Sequence, residues 1–430
     1  MNTKKRIVVI GGGFAGTALA RALDGKLPPG WRLTLVSQEN FITYHPLLAE
    51  VVGASLLPGH VVAPHRQMVK DADVCMALVS GIDTVNRRVQ YLGEGSGELP
   101  YDELVVALGT NANLGLVRGM ADYALPLKTL GDALFLRNRV VSRLEAASLQ
   151  GDRDERRWLC TFIVSGGGYS GVEVAGEIED FVHASLRYYQ MISPDDVRVV
   201  LLHGTERLLP EISPSLGEFA RDRMRKNGLD IRLKSRVVGI DDRGVQLDSG
   251  EHLSGGTVVC TIGTTPNPIV LESGLPTSRG RIVVDADMSV AGYPGVWAIG
   301  DCAAVPNAED GKVSPPTAQF ADRQAKQLAE NILARIAGQS TTAFRYKPVG
   351  QLCSIGHNKA VVELFGLKLS GFVAWLLWRG VYLLKIPTFS RKVRLYLEWN
   401  WAMFFPPDIV HFNYRRSPKP VKAIPESKAA

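Results

Sequence analysis

This sequence holds no closely spaced pair of cysteines. Its five, Cys75, Cys160, Cys260, Cys302 and Cys353, lie scattered through 430 residues, which excludes a C-x-x-C redox motif, a zinc-ligand spacing and a disulfide framework. They read as buried or incidental thiols of a reducing compartment, and no metal site is expected. Also missing is an unbroken apolar run of about 20 residues, the length that spans a bilayer. A strong excess of one charge is missing as well: 49 Lys and Arg face 43 Asp and Glu, a net +6. No low-complexity tract occurs before the last dozen residues. The first strand begins by about residue 6, which leaves no room for a signal or transit peptide and predicts a body on the cytosolic side of a membrane. A length of 430 residues exceeds one ordinary core and predicts two or three domains.

What the sequence does have is ordered glycine. Two strand-to-helix turns, IVVIGGGFAGTALARAL and TFIVSGGGYSGVEVAGEIE, sit about 155 residues apart. Each begins with an apolar run and continues into a helix of small residues. In the first, Gly11 permits the tight turn, Gly13 lets backbone approach a pyrophosphate, and Gly16 lets helix and strand pack closely. Gly166, Gly168 and Gly171 repeat the pattern. The helix N-terminus then points free N–H groups at the anion. One such match is weak. Two imply two dinucleotides on separate domains, a layout for passing electrons between redox cofactors.

Further signals fall between and after them. The strand LTLVS ends at Ser37-Gln38-Glu39, where an acid usually holds the ribose hydroxyls of an adenosine, and Glu39 is placed to reach back. ELVVALGTNAN ends a strand at Gly109, a return toward the cofactor in two-dinucleotide flavoproteins. VRVVLLH ends at His203 where an acid would favour NAD. With Arg207 nearby, a 2′-phosphate and so NADPH stays open, as does a strand-capping role for His203. VWAIGDC ends at Gly300-Asp301, an Asp that in flavoproteins of this layout accepts hydrogen bonds from the ribityl chain of FAD. PPTAQFADRQAKQLAENI then starts a helix after two prolines, with its N-terminus near the flavin. The predicted domains are 1–120 plus 288–340 for FAD, 121–287 for NAD(P)H, and 341–430 for a C-terminal region.

That last region carries the charge asymmetry. From Gly366 to Lys422 ten Lys and Arg meet two acids, net +8, so the rest of the chain sums to −2. Trp375, Trp378, Trp399 and Trp401 lie in the same stretch. Residues 370–386 and 391–405 read as amphipathic helices lying in a membrane interface, with Trp and Phe among acyl chains and Arg and Lys on headgroups. A buried helical hairpin or a homodimer interface stays open. A nucleic acid would explain the charge but not the accompanying Leu, Val and Phe.

Adjacent flavin and nicotinamide domains imply hydride transfer to the flavin. Disulfide reductases of this layout carry a cysteine pair after the first motif, and FITYHPLLAEVVGASLLPG has none. Sulfide:quinone reductases leave a complete second glycine motif unexplained. The chain as a whole resembles the type II NADH dehydrogenases, single-subunit, non-pumping NADH:quinone oxidoreductases. The likeness rests on both glycine motifs, NFITYHPLL, the Gly109 element, Gly300-Asp301, the AQ helix and the tail beginning SGFVAWLLW.

The resemblance implies that Gly11, Gly13, Phe14, Ala15, Gly16, Glu39, Gly109, Gly300, Asp301 and Ala318 hold FAD. It implies that Gly166, Gly168, Tyr169, Gly171, Glu173, His203 and Gly263 hold NADH. Glu173 matches the family's glutamate near nicotinamide and quinone, where partial desolvation would raise its pKa for proton relay; an ordinary acid near a helix N-terminus is the other reading. Gln319 begins the A-Q-x-A-x-Q quinone pattern. Its second Gln is replaced by Arg323, and Gln324, one step and about 100° away on a helix, is a poor substitute; Arg323 is expected at the quinone site, donating to a quinone carbonyl or reshaping the acceptor site. His45 and Pro46 are expected beside the flavin, His45 either donating to a quinone or serving structure. The expected protein is thus α/β, with two Rossmann-like domains and a C-terminal membrane-association region. It uses FAD and NADH, with NADPH not excluded, and reduces a membrane quinone. It sits peripherally on the cytoplasmic face of the cell membrane. Two alternatives stand beside it: a soluble NAD(P)H reductase of an electron-transfer protein, and an NADH-responsive redox sensor resembling apoptosis-inducing factor.

Overall fold

The structure is a computed structural model that describes residues 4–412; the tail cations Arg415, Arg416, Lys419 and Lys422 lie outside the described residues. Along the chain come β1 (Lys5–Ile10), α1 (Phe14–Leu23), β2 (Trp31–Ser37), α2 (Leu48–Val52), β3 (Asp73–Met76), β4 (Glu103–Val106), β5 (Ala124–Pro126) and α3 (Leu130–Ser148). They are followed by β6 (Thr161–Ser165), α4 (Tyr169–Ser185), β7 (Arg198–Leu202), β8 (Asp230–Arg232), β9 (Thr257–Cys260), β10 (Val296–Ala298) and α5 (Ala318–Ile336). The C-terminal part holds β11 (Gly350–Ser354), β12 (Ala360–Leu364), β13 (Leu367–Gly371), α6 (Phe372–Lys385) and α7 (Phe389–Phe404).

Two five-stranded parallel sheets dominate, with orders β10-β4-β1-β2-β3 and β5-β9-β6-β7-β8. The two orders repeat each other. In each, the glycine-bearing strand, β1 or β6, is central and buried at every apolar position, as a strand covered on both faces must be. The chain leaves β1 toward β2 on one side and returns to β4 on the other. That reversal opens a crevice beyond the strand ends where nucleotides bind. Strand β10 comes from sequence beyond the whole second sheet, so the first sheet is assembled from two separated stretches of chain.

The C-terminal strands form an antiparallel sheet β11-β12-β13 that leads into α6. Helices α6 and α7 pack on each other and α6 packs on β12, while α2 packs on α3 and α4. One continuous core joins Leu47 and Val51 to Phe181, Trp375, Trp378 and Trp399.

This corrects one expectation. Trp375, Trp378 and Trp399 lie inside the protein, 2%, 0% and 2% exposed, and Arg379 is buried as well. Only Trp401 of the four projects outward, at 62%. Helical apolar residues on two faces cannot all meet lipid, and the face carrying these tryptophans packs on the sheet β11-β12-β13 and on α2 instead. The outward face of the pair presents Phe372, Leu376, Leu384, Phe389, Leu397 and Phe404. No helix among the described residues is long and apolar enough to cross a membrane.

Candidate functional site

The first glycine turn is fixed by contact. A Cβ on Gly11, whose φ is +106°, would lie 2.3 Å from the Ala107 carbonyl oxygen, and one on Gly16 would lie 1.8 Å from the Gly11 oxygen. Only glycine lets β1, β4 and α1 approach this closely. Gly13 caps α1 without a side-chain hydrogen bond and faces open space, with nothing within 4 Å of an added Cβ. The first helical amides are therefore free to meet an anion. The second turn copies this, with a Gly171 Cβ 1.7 Å from the Gly166 oxygen and an open, uncapped Gly168 before α4.

The α1 turn opens on a cleft of about 1060 Å³ walled by Gly11, Gly13, Phe14, Ala15, Glu39, Gly109, Gly300, Asp301 and Ala318. Gly16 lies beneath it. The volume, the uncapped helix and the carboxylates Glu39 and Asp301 in its wall fit FAD. Burial pushes the Asp301 carboxyl up, and Lys128 and Arg281 hold it back. Gln324, on the buried side of α5, accepts the Gly300 N–H at 2.8 Å and so braces this turn. Thr317, following the two prolines, caps α5 through its hydroxyl.

The α4 turn brings Tyr169, Ser170 and Glu173 to the same cleft. Gly166, Gly168, Gly171, His203 and Gly263 do not line it; the first three frame the start of α4. Gly263 follows β9, where its carbonyl accepts the Asn113 N–H at 3.4 Å. His203 Nδ1 accepts the Gly167 N–H at 3.0 Å. Its proton therefore sits on Nε2, which donates to Thr205 Oγ1 at 2.7 Å. Burial lowers the His203 pKa, so the ring braces the loop in its neutral form.

Glu173 is 6% exposed and accepts the Ser354 N–H at 3.2 Å. Burial raises its pKa to about 8, against that hydrogen bond and with help from Glu50, so it holds a proton at neutral pH. Gln319 lies outside the cleft wall: its Nε2 donates to the Gly350 oxygen at 2.9 Å and its Oε1 accepts from Tyr346 at 3.1 Å. Arg323 is turned to the surface with its guanidinium 5.4 Å from the Tyr346 ring centre, because one helical step rotates it away from the Gly300 side that Gln324 occupies. His45 and Pro46 line the cleft, and His45 packs 5.7 Å from Phe14. Crowding by the cleft wall and then the charge of Lys128 lower the His45 pKa, although the residue stands open to solvent. A neutral imidazole still donates a hydrogen bond.

Lys128 was not legible as a site residue. It lines the cleft, reaches Thr110 Oγ1 at 3.4 Å and acts electrostatically on both His45 and Asp301. The available signal was the capping box that follows it, Thr129 with Asp132, which fixes the turn presenting Lys128. Glu50 and Arg379 were also missed.

Comparison with known proteins agrees with this geometry. The family model of pyridine nucleotide-disulphide oxidoreductases matches residues 5–325, and that of the NDH2 C-terminal domain matches 349–406. The chain is 30% identical over 415 residues to the type II NADH:quinone oxidoreductase Ndh of Mycobacterium tuberculosis, covering 92% of this chain and 88% of that one. It is 30% identical to the demethylphylloquinone reductase NdbB of a Synechocystis species, covering 93% and 96%. The solved structure of NDH2 from Plasmodium falciparum in complex with NADH shares the fold, with a TM-score of 0.88 at 19% identity over 95% of this chain and 100% of that chain.

Proposed function

The chain belongs to the pyridine nucleotide-disulphide oxidoreductases and, within them, to the type II NADH:quinone oxidoreductases, and on that premise we propose how its residues divide the work. FAD, when bound, takes a hydride from NADH and passes two electrons to a quinone. The free amides of α1 hold the FAD pyrophosphate, and Asp301 and Gly109 hold the rest of the cofactor. The free amides of α4 hold the NADH pyrophosphate, and Tyr169 orients the nicotinamide end. Phe14 and Tyr44, packed edge to face at 5.9 Å, keep water from the reacting centre. His45 donates a hydrogen bond. Gln319 positions the entrance of α5 on the acceptor side. Glu173 carries a proton at neutral pH and gives it up on the quinone side.

One observation carries this division: Glu173, on the nucleotide-binding helix α4, forms part of the same cleft wall as Phe14, Ala15 and Asp301. The exposed apolar row of α6 and α7 supports docking on the cytosolic face of a membrane, where a quinone would reach the cleft from the bilayer. On this reading the reaction is non-pumping, and no helix among the described residues is long and apolar enough to cross a membrane. The test is anaerobic stopped-flow bleaching of the flavin by NADH, followed by a short-chain ubiquinone or menaquinone analogue. Fast bleaching with fast recovery is expected. Fast bleaching with no recovery would transfer the reading to a protein acceptor or a redox sensor.

A further inference from the structure

Helix α4 carries Glu173, Glu177 and Asp180 at spacings i, i+4 and i+7, one stripe about 10 Å long. Glu173 forms part of the cleft wall. At the other end, Asp180 Oδ2 accepts the backbone N–H of His357 at 2.5 Å, and both residues are partly open to solvent. Glu177, between them, is 6% exposed and accepts from the Ser55 hydroxyl at 3.3 Å. Across from it, on α2, Glu50 accepts from the Trp399 indole at 3.0 Å. The Arg379 guanidinium acts on both Glu50 and Glu177; it donates to the Trp399 carbonyl at 3.1 Å and stacks 3.6 Å over Trp375.

Two buried carboxyls thus lie within electrostatic reach of one buried cation. Ionising both would leave a second negative charge in the core without compensation, so the pair keeps a proton at neutral pH. The reaction needs such a proton. In NADH + Q + H⁺ → NAD⁺ + QH₂, the hydride supplies two electrons and one hydrogen, and the remaining proton comes from water. On the proposed reading the quinone enters from the membrane, so that proton requires a route through protein.

Resting on the proposed quinone reduction, we propose that Glu177 and Asp180 are proton-relay residues that supply Glu173 from the surface beside His357, with Glu50 sharing the proton of Glu177. Glu173 gives its carboxyl proton to a quinone oxygen and becomes a carboxylate. Glu177 reprotonates it, Asp180 reprotonates Glu177, and water reprotonates Asp180, so one proton enters per quinol. Carboxyls on adjacent turns have Cβ atoms about 6 Å apart, a gap that one bridging water or one rotation closes. The groups facing the stripe tune it in the required sense. Burial raises Glu177, Glu50 and Asp180 add to the rise, and Ser55 and Arg379 oppose it, so it holds a proton to pass on. Burial also raises Asp180 against the His357 N–H and the charges of Lys359, His357 and His183.

The test uses full-length, flavin-loaded protein on lipid vesicles and compares the wild type with Glu177→Gln, Glu177→Asp and Asp180→Asn. The NADH-reduced flavin is reoxidised either by a short-chain quinone, which takes up protons, or by ferricyanide, which takes electrons alone. Glu177→Gln is expected to slow quinone reoxidation about tenfold or more, to enlarge its solvent isotope effect and to alter its pH profile. Reoxidation by ferricyanide keeps the wild-type rate, and Glu177→Asp recovers most of the quinone rate. Wild-type quinone kinetics in both Glu177→Gln and Asp180→Asn would overturn the relay, and so would equal slowing with both oxidants. A wild-type protein that ferricyanide reoxidises but quinone does not would overturn the proposed function instead.

Discussion

Trp399 on α7 donates its indole N–H to Glu50 on α2 at 3.0 Å, across 349 positions of sequence. The bond ties the last helix to an element that also packs on the nucleotide-binding helix α4. Trp399→Phe keeps most of the apolar burial but leaves a buried carboxyl oxygen without its donor, at a cost of about 1–3 kcal/mol. Burial raises the Glu50 pKa to about 7 against the opposing effects of Arg379 and the indole, so the variant moves it higher. Thermal unfolding should show a melting point lower by several degrees. An unchanged melting point would mean that the contact is structurally idle.

Glu173 sets a pH dependence whose sign is fixed. Its folded pKa of about 8 stands above the ordinary carboxyl value of 4.5. Between those pH values the folded chain keeps a proton that the unfolded chain has lost. Stability from this group is therefore full at low pH and falls as pH rises through the window, by about 1.4 kcal/mol per unit. Glu173→Gln removes that slope, which urea unfolding at the two ends of the window would reveal. The same variant should bleach normally with NADH but slow quinone reduction by about a hundredfold.

His203 occupies the strand end where a carboxylate would repel a 2′-phosphate. Discrimination against NADPH is accordingly expected to be weak. His203→Asp should raise the ratio of kcat/KM for NADH over NADPH by about tenfold or more, equal to about 1.4 kcal/mol of selectivity. Steady-state kinetics with the two nucleotides decides it, and an unchanged ratio would place the ribose elsewhere.

Phe389 and Phe404 are 82% and 78% exposed on the outward row of α6 and α7. Each is worth about 1.5–3 kcal/mol when moved from water into an apolar phase. Phe389→Ser with Phe404→Ser should weaken binding to anionic vesicles by two orders of magnitude or more, while NADH oxidation by ferricyanide persists. Undiminished co-sedimentation with vesicles would exclude this face as the docking surface.

Much of the fold and site is local in the sequence, and local features were legible. The glycine turns announce themselves because the constraint on Gly11 and Gly16 is the backbone's own. The Gly300-Asp301 turn and the start of α5 could be placed because strand, turn and helix signals are contiguous there. Contacts between distant segments carried no such mark. Nothing in the string places Lys128 beside Asp301 and His45, or turns Gln324 toward Gly300 while Arg323 faces solvent. The tail tryptophans illustrate the limit, since amphipathic spacing gives two faces without saying which one meets protein.

The sequence by itself determined two glycine turns, their central buried strands and the lack of a closely spaced cysteine pair, because each depends on residues within a few positions of one another. Only the tertiary structure decided that Glu50, Glu177 and Arg379 are all buried, and that Glu173 is buried in the wall of the cleft at α1. Those outcomes depend on desolvation, which is set by what the rest of the chain packs around a group and not by its neighbours in sequence.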